Sequence, residues 1–327
     1  MPSLVAENCL KLLSRPLIDT PLLQPGVLAS TSLLQDLEHA QSPQSLVSEK
    51  EILNILVKYF HAYIHEGSEH NVLDLKDITL CFDQFVHRRK GSVSLWGRKD
   101  LRLKLLKMSF ALAMLADLPK TAHLFYHLSN EQLNPDELGP DFLGLDIGSG
   151  TGILILAQWI AAKKNGFKDI RIYGLERNEH VCTTSDALIS RLGVGNMFSG
   201  DAKQESCYHF LGNSPVTYIS NETIPGAGVR LWKEDFLAIN SALFASLGPC
   251  LEKTRFFPSQ IIARDKSGRK VYLSAKNRFQ GNNERFLHLM YPYAIVMGNQ
   301  THELTAIGQD YTSYFPSEWV QKLHYRW

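Results

Sequence analysis

The sequence predicts an α/β fold: a parallel sheet wrapped by helices, with a helical segment before it and a small β-rich region after it. Three observations carry that expectation. The apolar run Phe142-Leu143-Gly144-Leu145-Asp146-Ile147 breaks into alternate glycines, Gly148, Gly150 and Gly152, and resumes as an apolar helical stretch over 153–161. Further short apolar runs follow at 170–175 and 215–220, each with enough chain before it for a crossover helix. Ahead of them, Ile52, Ile55, Leu56, Tyr59, Phe60 and Tyr63 recur at the spacing of one helix face.

With 327 residues, one large domain or two modest ones are expected, and a hydrophobic fraction of 44% suits a well-filled core. The formal net charge of +1 gives no global reason to expect nucleic-acid or membrane binding. Cys9, Cys81, Cys182, Cys207 and Cys250 are scattered, odd in number and without CxxC spacing. That argues against a disulfide framework or a zinc site and for a reducing, cytoplasmic setting. No apolar run approaches the roughly 20 residues of a membrane span. The first residues lack the basic-then-apolar pattern of a signal peptide.

Taken in order, residues 4–13 suit a short helix, and Pro16, Pro21, Pro25 and Gly26 then break the chain. Ser30, Thr31 and Ser32 offer N-caps for a helix through Leu33, Leu34 and Leu37. Residues 41–45 read as a loop. Ser48 and Glu51 have the spacing of a capping box, opening the helix that carries the stripe from Ile52 to Tyr63. His61 and His65 stand four apart on it, a spacing able to hold a metal, but no third ligand is evident and no metal is expected. Residues 73–85 suit another helix. His87-Arg88-Arg89-Lys90, with Trp96, Arg98 and Lys99, reads as a solvated basic loop rather than a nucleic-acid grip. Residues 98–115 are too densely apolar for one face, so a helix buried on more than one side is expected there. The order suggests a helical N-terminal domain over 1–130 and a sheet domain over 131–263, joined at Asn134-Pro135-Asp136 and Gly139-Pro140. A β-rich region over 264–327 completes it.

Strand, glycine turn and helix make the first crossover of a nucleotide-binding sheet, where glycines accept unusual φ/ψ and bring a ligand against bare backbone. Dinucleotide sites use G-x-G-x-x-G, with a pyrophosphate at the helix N-terminus. Here the pattern is D-x-G-x-G-x-G. Asp146, just before the turn, would repel a pyrophosphate and suit an ammonium group. The strand at 170–175 ends in Glu176, whose two oxygens are placed to accept both hydroxyls of a ribose. A helix over 179–192 ends at Gly193, a C-cap residue. Residues 196–199 form a third strand, followed by Gly200-Asp201-Ala202, where Asp201 either faces a ligand or caps the next helix. The strand at 215–220 runs into Asn221-Glu222-Thr223, the topological place where a second substrate meets a bound nucleotide. A helix from Leu231 to about Ser246, stopped by Gly248-Pro249, and strands near 255–263, 271–274 and 293–297 follow.

This arrangement resembles motif I of the class I, Rossmann-like S-adenosylmethionine-dependent methyltransferases. The resemblance implies that Asp146, Gly148, Ser149, Gly150 and Gly152 hold the methionine end of S-adenosyl-L-methionine. It further implies that Glu176 holds the ribose and that Asp201, with Ala202, meets the adenine. Three more features, within about 95–263, look like the protein arginine methyltransferases. They are the spelling L-D-I-G-S-G-T-G-I-L, Glu222 after the fourth strand with a second acid, Glu234, beyond it, and the Phe257-Pro258 step into β structure. That family clamps a guanidinium between two glutamates, which map onto Glu222 and Glu234 as catalytic residues. Two carboxylates hold a planar guanidinium in fixed geometry and aim one nitrogen at the methyl group. The chain also departs from that family. The two glutamates stand further apart, the segment after Arg264 is too short for its barrel and arm, and Thr301-His302-Glu303 lacks its tryptophan. The N-terminal helices are not part of its core.

An N-methyltransferase of a guanidine or amine is the expected function, its acceptor a free arginine-like metabolite or a peptide arginine. The short C-terminal region tilts toward a small acceptor, with Tyr126, Trp232 and Tyr291 available to close its pocket. An O- or C-methyltransferase of another metabolite would need a general base, for which His127, His209, His288 and His302 are available. A non-catalytic S-adenosylmethionine-binding protein would keep Asp146, Glu176 and Asp201 without needing Glu222. A nicotinamide dehydrogenase is disfavoured by Asp146 and the glycine spacing. The expected partners are the cofactor and a small or peptide acceptor, with no nucleic acid and no membrane. A homodimer is open, and the N-terminal helices can cover the site, form an interface or recruit a partner.

Overall fold

The computed structural model of the chain describes residues 27–43, 46–65, 108–116, 118–223, 233–264, 267, 269–274, 290–297, 300–303, 305–307 and 311–313. The expected helices at 4–13 and 73–85, the basic cluster around 87–99, Trp232 and His288 lie outside the described residues. Helix α1 (Val27–Ala40) begins ahead of Ser30, Thr31 and Ser32, which sit inside it and do not cap it. A cap preference is a local signal, and tertiary packing overrides it: Leu33, Leu37 and Ala40 are buried, and α1 packs on α2 (Glu49–His65). The capping box of α2 forms as expected. The Ser48 amide donates to Glu51 Oε2 at 2.8 Å, and the Glu51 amide donates to Ser48 Oγ at 3.3 Å. Within the apolar stretch 98–115, α3 is described from Ser109 to Ala116. Then come α4 (Leu118–Ser129) and the short α5 (Pro135–Leu138). The latter stands where a linker was expected, because Asn134 Oδ1 accepts from the Asp136 amide and Pro135 occupies the first turn.

The sheet that follows has the order β3-β2-β1-β4-β5, all parallel. Its strands are β1 (Phe142–Ile147), β2 (Ile170–Glu176), β3 (Asn196–Ser199), β4 (Tyr218–Asn221) and β5 (Arg255–Phe257). This is a Rossmann-like α/β sheet, and the order reverses between β1 and β4, so their carboxyl ends flank the crevice where such sheets bind ligands. Helices α6 (Ile153–Lys164) and α7 (Glu179–Leu192) pack on one face, and α8 (Lys233–Leu247) on the other. Helix α8 ends at Leu247, before Gly248-Pro249 as expected, and a separate 3₁₀ turn, Gly248–Leu251, follows.

Alternation along β1 divides the core. Phe142 faces the α6 side, while Leu143, Leu145 and Ile147 face α8, against Leu243 and Leu247. On the α6 side the hydrophobic cluster does not end with the sheet domain. It runs from Leu33, Tyr59 and Phe125 through Ile155 and Ile160 to Tyr218. Helix α6 lies between the sheet and α4, which explains why it is buried nearly all round and has no polar stripe. The N-terminal helices and the sheet therefore share one core across residue 130. Downstream, β6 (Gln260–Arg264), β7 (Lys270–Ser274), β8 (Met290–Met297) and β9 (Gln300–Glu303) form an antiparallel sheet of order β7-β6-β8-β9. β10 (Thr305–Ile307) and β11 (Tyr311–Ser313) pair separately. Among the described residues, no helix is long and apolar enough to cross a membrane.

Candidate functional site

Gly148, Gly150 and Gly152 have φ of +69°, +54° and +80°, the left-handed region that side chains disfavour. The turn hangs from the end of β2: the amides of Gly148 and Ser149 both donate to the Leu175 carbonyl, at 2.9 and 3.1 Å. A Cβ on Gly148 would come within 2.6 Å of Thr223 Cγ2, so the segment after β4 lies against the turn.

Asp146 sits beneath that turn and is only 1% exposed. Its register partners are Gly174 on β2 and Ser220 on β4. Ser220 Oγ donates to Oδ1 at 2.5 Å, and Ser149 Oγ donates to Oδ2 at 2.7 Å. The space for these groups comes from two strand glycines. A Cβ on Gly174 would stand 2.6 Å from Ser149 Oγ, and one on Gly144 would stand 2.2 Å from Gln158 Oε1. The Gln158 amide nitrogen donates to Ser220 Oγ at 2.7 Å and to the Leu145 carbonyl at 3.2 Å. A carbonyl only accepts, so the nitrogen must face it. That leaves Gln158 Oε1 buried without a donor among the described residues, at a cost of about 1–3 kcal/mol. Burial pushes the Asp146 carboxyl up to about 7, the two serine hydroxyls oppose the shift, and the charges of Glu222 and Glu176 add to it.

Glu176 ends β2 with its carboxylate folded onto the turn. Oε2 accepts from the Gly150 amide at 3.0 Å and Oε1 from the Asn178 amide at 2.7 Å. Each oxygen keeps acceptor capacity, enough for the two hydroxyls of a diol. In register, Glu176 stands beside Ser199, and the Gly200 amide donates to the Glu176 carbonyl at 3.0 Å. Asp201 comes next. Its Oδ1 accepts from the Lys203 amide at 3.1 Å, while the 3₁₀ helix beyond starts after Gln204, so Asp201 closes a turn without capping that helix. The Ala202 carbonyl accepts from Tyr208 at 2.7 Å, which fixes this corner. Asp146, Glu176 and Asp201 thus lie at or just beyond the carboxyl ends of three adjacent parallel strands. Such a concentration of carboxylates disfavours a pyrophosphate and suits a cationic nucleoside with an ammonium group.

Glu222 follows β4 directly, half-exposed, with Asn221 Oδ1 accepting from the Thr223 amide at 3.0 Å beside it. Glu234 is the second residue of α8, and residues 224–232 between the two acids lie outside the described chain. His61 and His65 lie on α2, and among the described residues no group of three His, Cys, Asp or Glu could hold a metal. His127 packs edge-on against His123 on α4, ring centroids 4.6 Å apart.

Sequence reasoning missed residues that shape this site. Tyr59, read as a core position, donates its hydroxyl to the Thr151 carbonyl. Tyr63, read the same way, lies 3.1 Å from Ser185 Oγ, which donates to the Gly150 carbonyl at 2.9 Å. Gln158 had a visible signal, a lone amide in the run Ile-Leu-Ile-Leu-Ala-Gln-Trp-Ile-Ala-Ala.

No protein-family model matches the sequence, and no protein of curated function does. Among solved structures, the chain is similar to the mitomycin 7-O-methyltransferase MmcR, with 16% identity and a TM-score of 0.33. That match covers 67% of this chain and 56% of that protein's length. It is also similar to the S-adenosylmethionine-dependent methyltransferase SibL in its apo form, with 10% identity and a TM-score of 0.32, over 82% of this chain and 67% of the other.

Proposed function

We propose that this chain is an S-adenosylmethionine-dependent methyltransferase of a small acceptor. The observation that carries the proposal is the set of acids at one sheet edge: Asp146 beneath the glycine turn, Glu176 folded onto it, and Asp201 after the next strand. Glu176 accepts the ribose hydroxyls, Asp201 accepts from the adenine amine, and the buried charge of Asp146 draws the ammonium group through the turn. When bound, the cofactor supplies an electrophilic methyl group on a sulfonium, and transfer leaves a neutral thioether. The protein contributes position, since displacement at carbon requires an in-line approach.

On the acceptor side, Glu222 is the acid whose place beside the turn is described, and its charge is felt by Asp146. One carboxylate there can take the proton from a hydroxyl or hold a single N–H donor, so an oxygen or amine acceptor fits without a second acid. A guanidinium clamp, with a free or peptide arginine as acceptor, asks in addition that Glu234 reach the same group. What favours it as a second reading is that Glu234 stands in the first turn of the helix following the β4 segment. Incubation with S-adenosylmethionine and a panel of phenols, alcohols, amines and guanidines, read by mass spectrometry for a gain of one methyl, tests both. A methylated oxygen or amine supports the first reading and a methylated guanidine the second. No methylated product, together with no binding of S-adenosylhomocysteine, overturns the proposal.

A further inference from the structure

Gln158 is a buried amide that the reaction itself does not call for. It lies on α6 with no exposed surface, in a helix whose other core positions are Ile, Leu and Ala. The fold makes room for it: β1 carries Gly144, where a Cβ would collide with Oε1 at 2.2 Å. It also accepts a defect, since Oε1 has no donor among the described residues. A Leu or Met at this position would remove that defect, so the stability of the core does not explain the glutamine. Its nitrogen does. The two amide hydrogens are committed to the Leu145 carbonyl and to Ser220 Oγ. Because the Ser220 oxygen receives a hydrogen there, its own hydrogen is left to point at Asp146 Oδ1, 2.5 Å away.

We infer that Gln158 is a positioning residue for the cofactor site: through Ser220 it fixes a hydroxyl donor on Asp146, which favours the ionised form of that acid and keeps it aimed beneath the glycine turn. This rests on the cofactor reading given above. The charged groups facing Asp146 are Glu222, from the segment after β4, and Glu176, from the end of β2, and the first turn of α6 carries no acid. Both neighbours oppose a second negative charge, which is why a fixed donor matters at this point.

The test compares wild type with Gln158→Met and Gln158→Leu. Both variants keep an apolar side chain of similar size, and their thermal midpoints are expected at or above that of wild type. Affinity for S-adenosylhomocysteine is measured by calorimetry from pH 5.5 to 9. The acid-side midpoint of binding is expected to move up by about 0.5–1 pH unit. That corresponds to a loss of about two- to five-fold at pH 7, vanishing toward pH 9. An equal loss at every pH, or no loss, overturns the inference. A second measurement needs no ligand: the ¹³C resonance of the Asp146 carboxyl, assigned with Asp146→Asn, is titrated in each protein. An upward move of that titration in the variants supports the relay even if wild type binds no S-adenosylhomocysteine, an outcome that would sink the cofactor reading alone. An unmoved titration overturns the relay.

Discussion

The hydroxyl of Tyr59, on helix α2, donates to the carbonyl of Thr151, inside the glycine turn between β1 and α6. The two residues are 92 positions apart in sequence and both are buried. One helical turn on, Tyr63 reaches Ser185, Ser185 holds the Gly150 carbonyl, and the Gly150 amide holds Glu176. The N-terminal helices therefore brace the turn and Glu176 from behind. Tyr59→Phe keeps the ring and leaves a buried carbonyl without its donor, so a stability loss of about 1–2 kcal/mol is expected. S-adenosylhomocysteine affinity should fall alongside it, and Tyr63→Phe should act in the same direction through Glu176. Thermal denaturation and calorimetry check both. A Tyr59→Phe protein that loses stability but binds as wild type does would show that α2 supports the fold without shaping the site.

Two acids, the buried Asp146 and the half-buried Glu131, are expected to set the pH response of the ligand-free protein. Burial pushes Asp146 from its ordinary 3.8 to about 7, and Glu131 from 4.5 to about 7. Glu131 accepts from Tyr218 at the opposite end of the sheet, and Arg255 nearby opposes its shift. Each folded-state pKa lies above the unfolded one, so the folded form binds these protons more tightly. Stability should therefore be greatest near pH 4, fall as pH rises to about 7, and level off above. Thermal midpoints from pH 4 to 8 should show that fall, with Asp146→Asn removing one part and Glu131→Gln the other. A double variant with the full wild-type slope would mean that neither acid is held neutral. Ligand affinity should run the other way, rising with pH as Asp146 ionises and draws the ammonium group.

Much of this was legible in the chain and some of it could not be. The strand ending at Ile147, the left-handed glycines, the acid at Glu176 and the cap at Gly193 are local signals, written in adjacent residues, and the structure carries each of them. The capping box at Ser48 is likewise local. What escaped are contacts between residues far apart. Tyr59 and Tyr63 sit at core spacing, and periodicity reports burial without saying which carbonyl a phenol will meet. Ser185 is one polar residue among several on α7. Gly174, level with Asp146 in the sheet, makes room for Ser149, which bonds Asp146, and Gly144 makes room for Gln158, which reaches Asp146 through Ser220; both relations are set by how strands and helix pack.

That relation predicts an effect at Gly174. A Cβ there would stand 2.3 Å from Met197 Sδ, 2.6 Å from Ser149 Oγ and 2.8 Å from Ile155 Cδ1. Gly174→Ala must displace all three, and overpacking of this kind costs about 1–3 kcal/mol. The methionine and the isoleucine can repack, whereas the serine in moving gives up Asp146 Oδ2. Gly174→Ala should therefore weaken S-adenosylhomocysteine binding, and Ser149→Ala should reproduce that weakening with a smaller loss of stability. If Ser149→Ala binds normally while Gly174→Ala does not, the strand itself, and not the serine, is what the alanine disturbs.

On the proposed reading, Glu222 is the acid that separates an enzyme from a protein that only binds the nucleoside. It follows Asn221 at the crevice end of β4, beside Thr223, which lies against Gly148. Glu222→Gln keeps size and hydrogen-bonding capacity but removes the charge. Its first consequence falls on the cofactor side: with one fewer like charge nearby, Asp146 should ionise slightly more readily, so S-adenosylhomocysteine affinity at pH 7 should hold or rise a little. The second consequence falls on the acceptor. If this carboxylate takes or orients the acceptor's proton, kcat should drop by about 10²–10⁴ at unchanged cofactor affinity. Steady-state rates with the acceptor found by the panel, and calorimetry on the same preparation, give both numbers. Wild-type turnover in Glu222→Gln would remove this residue from the chemistry and turn attention to Glu234, where the matching substitution should then carry the loss.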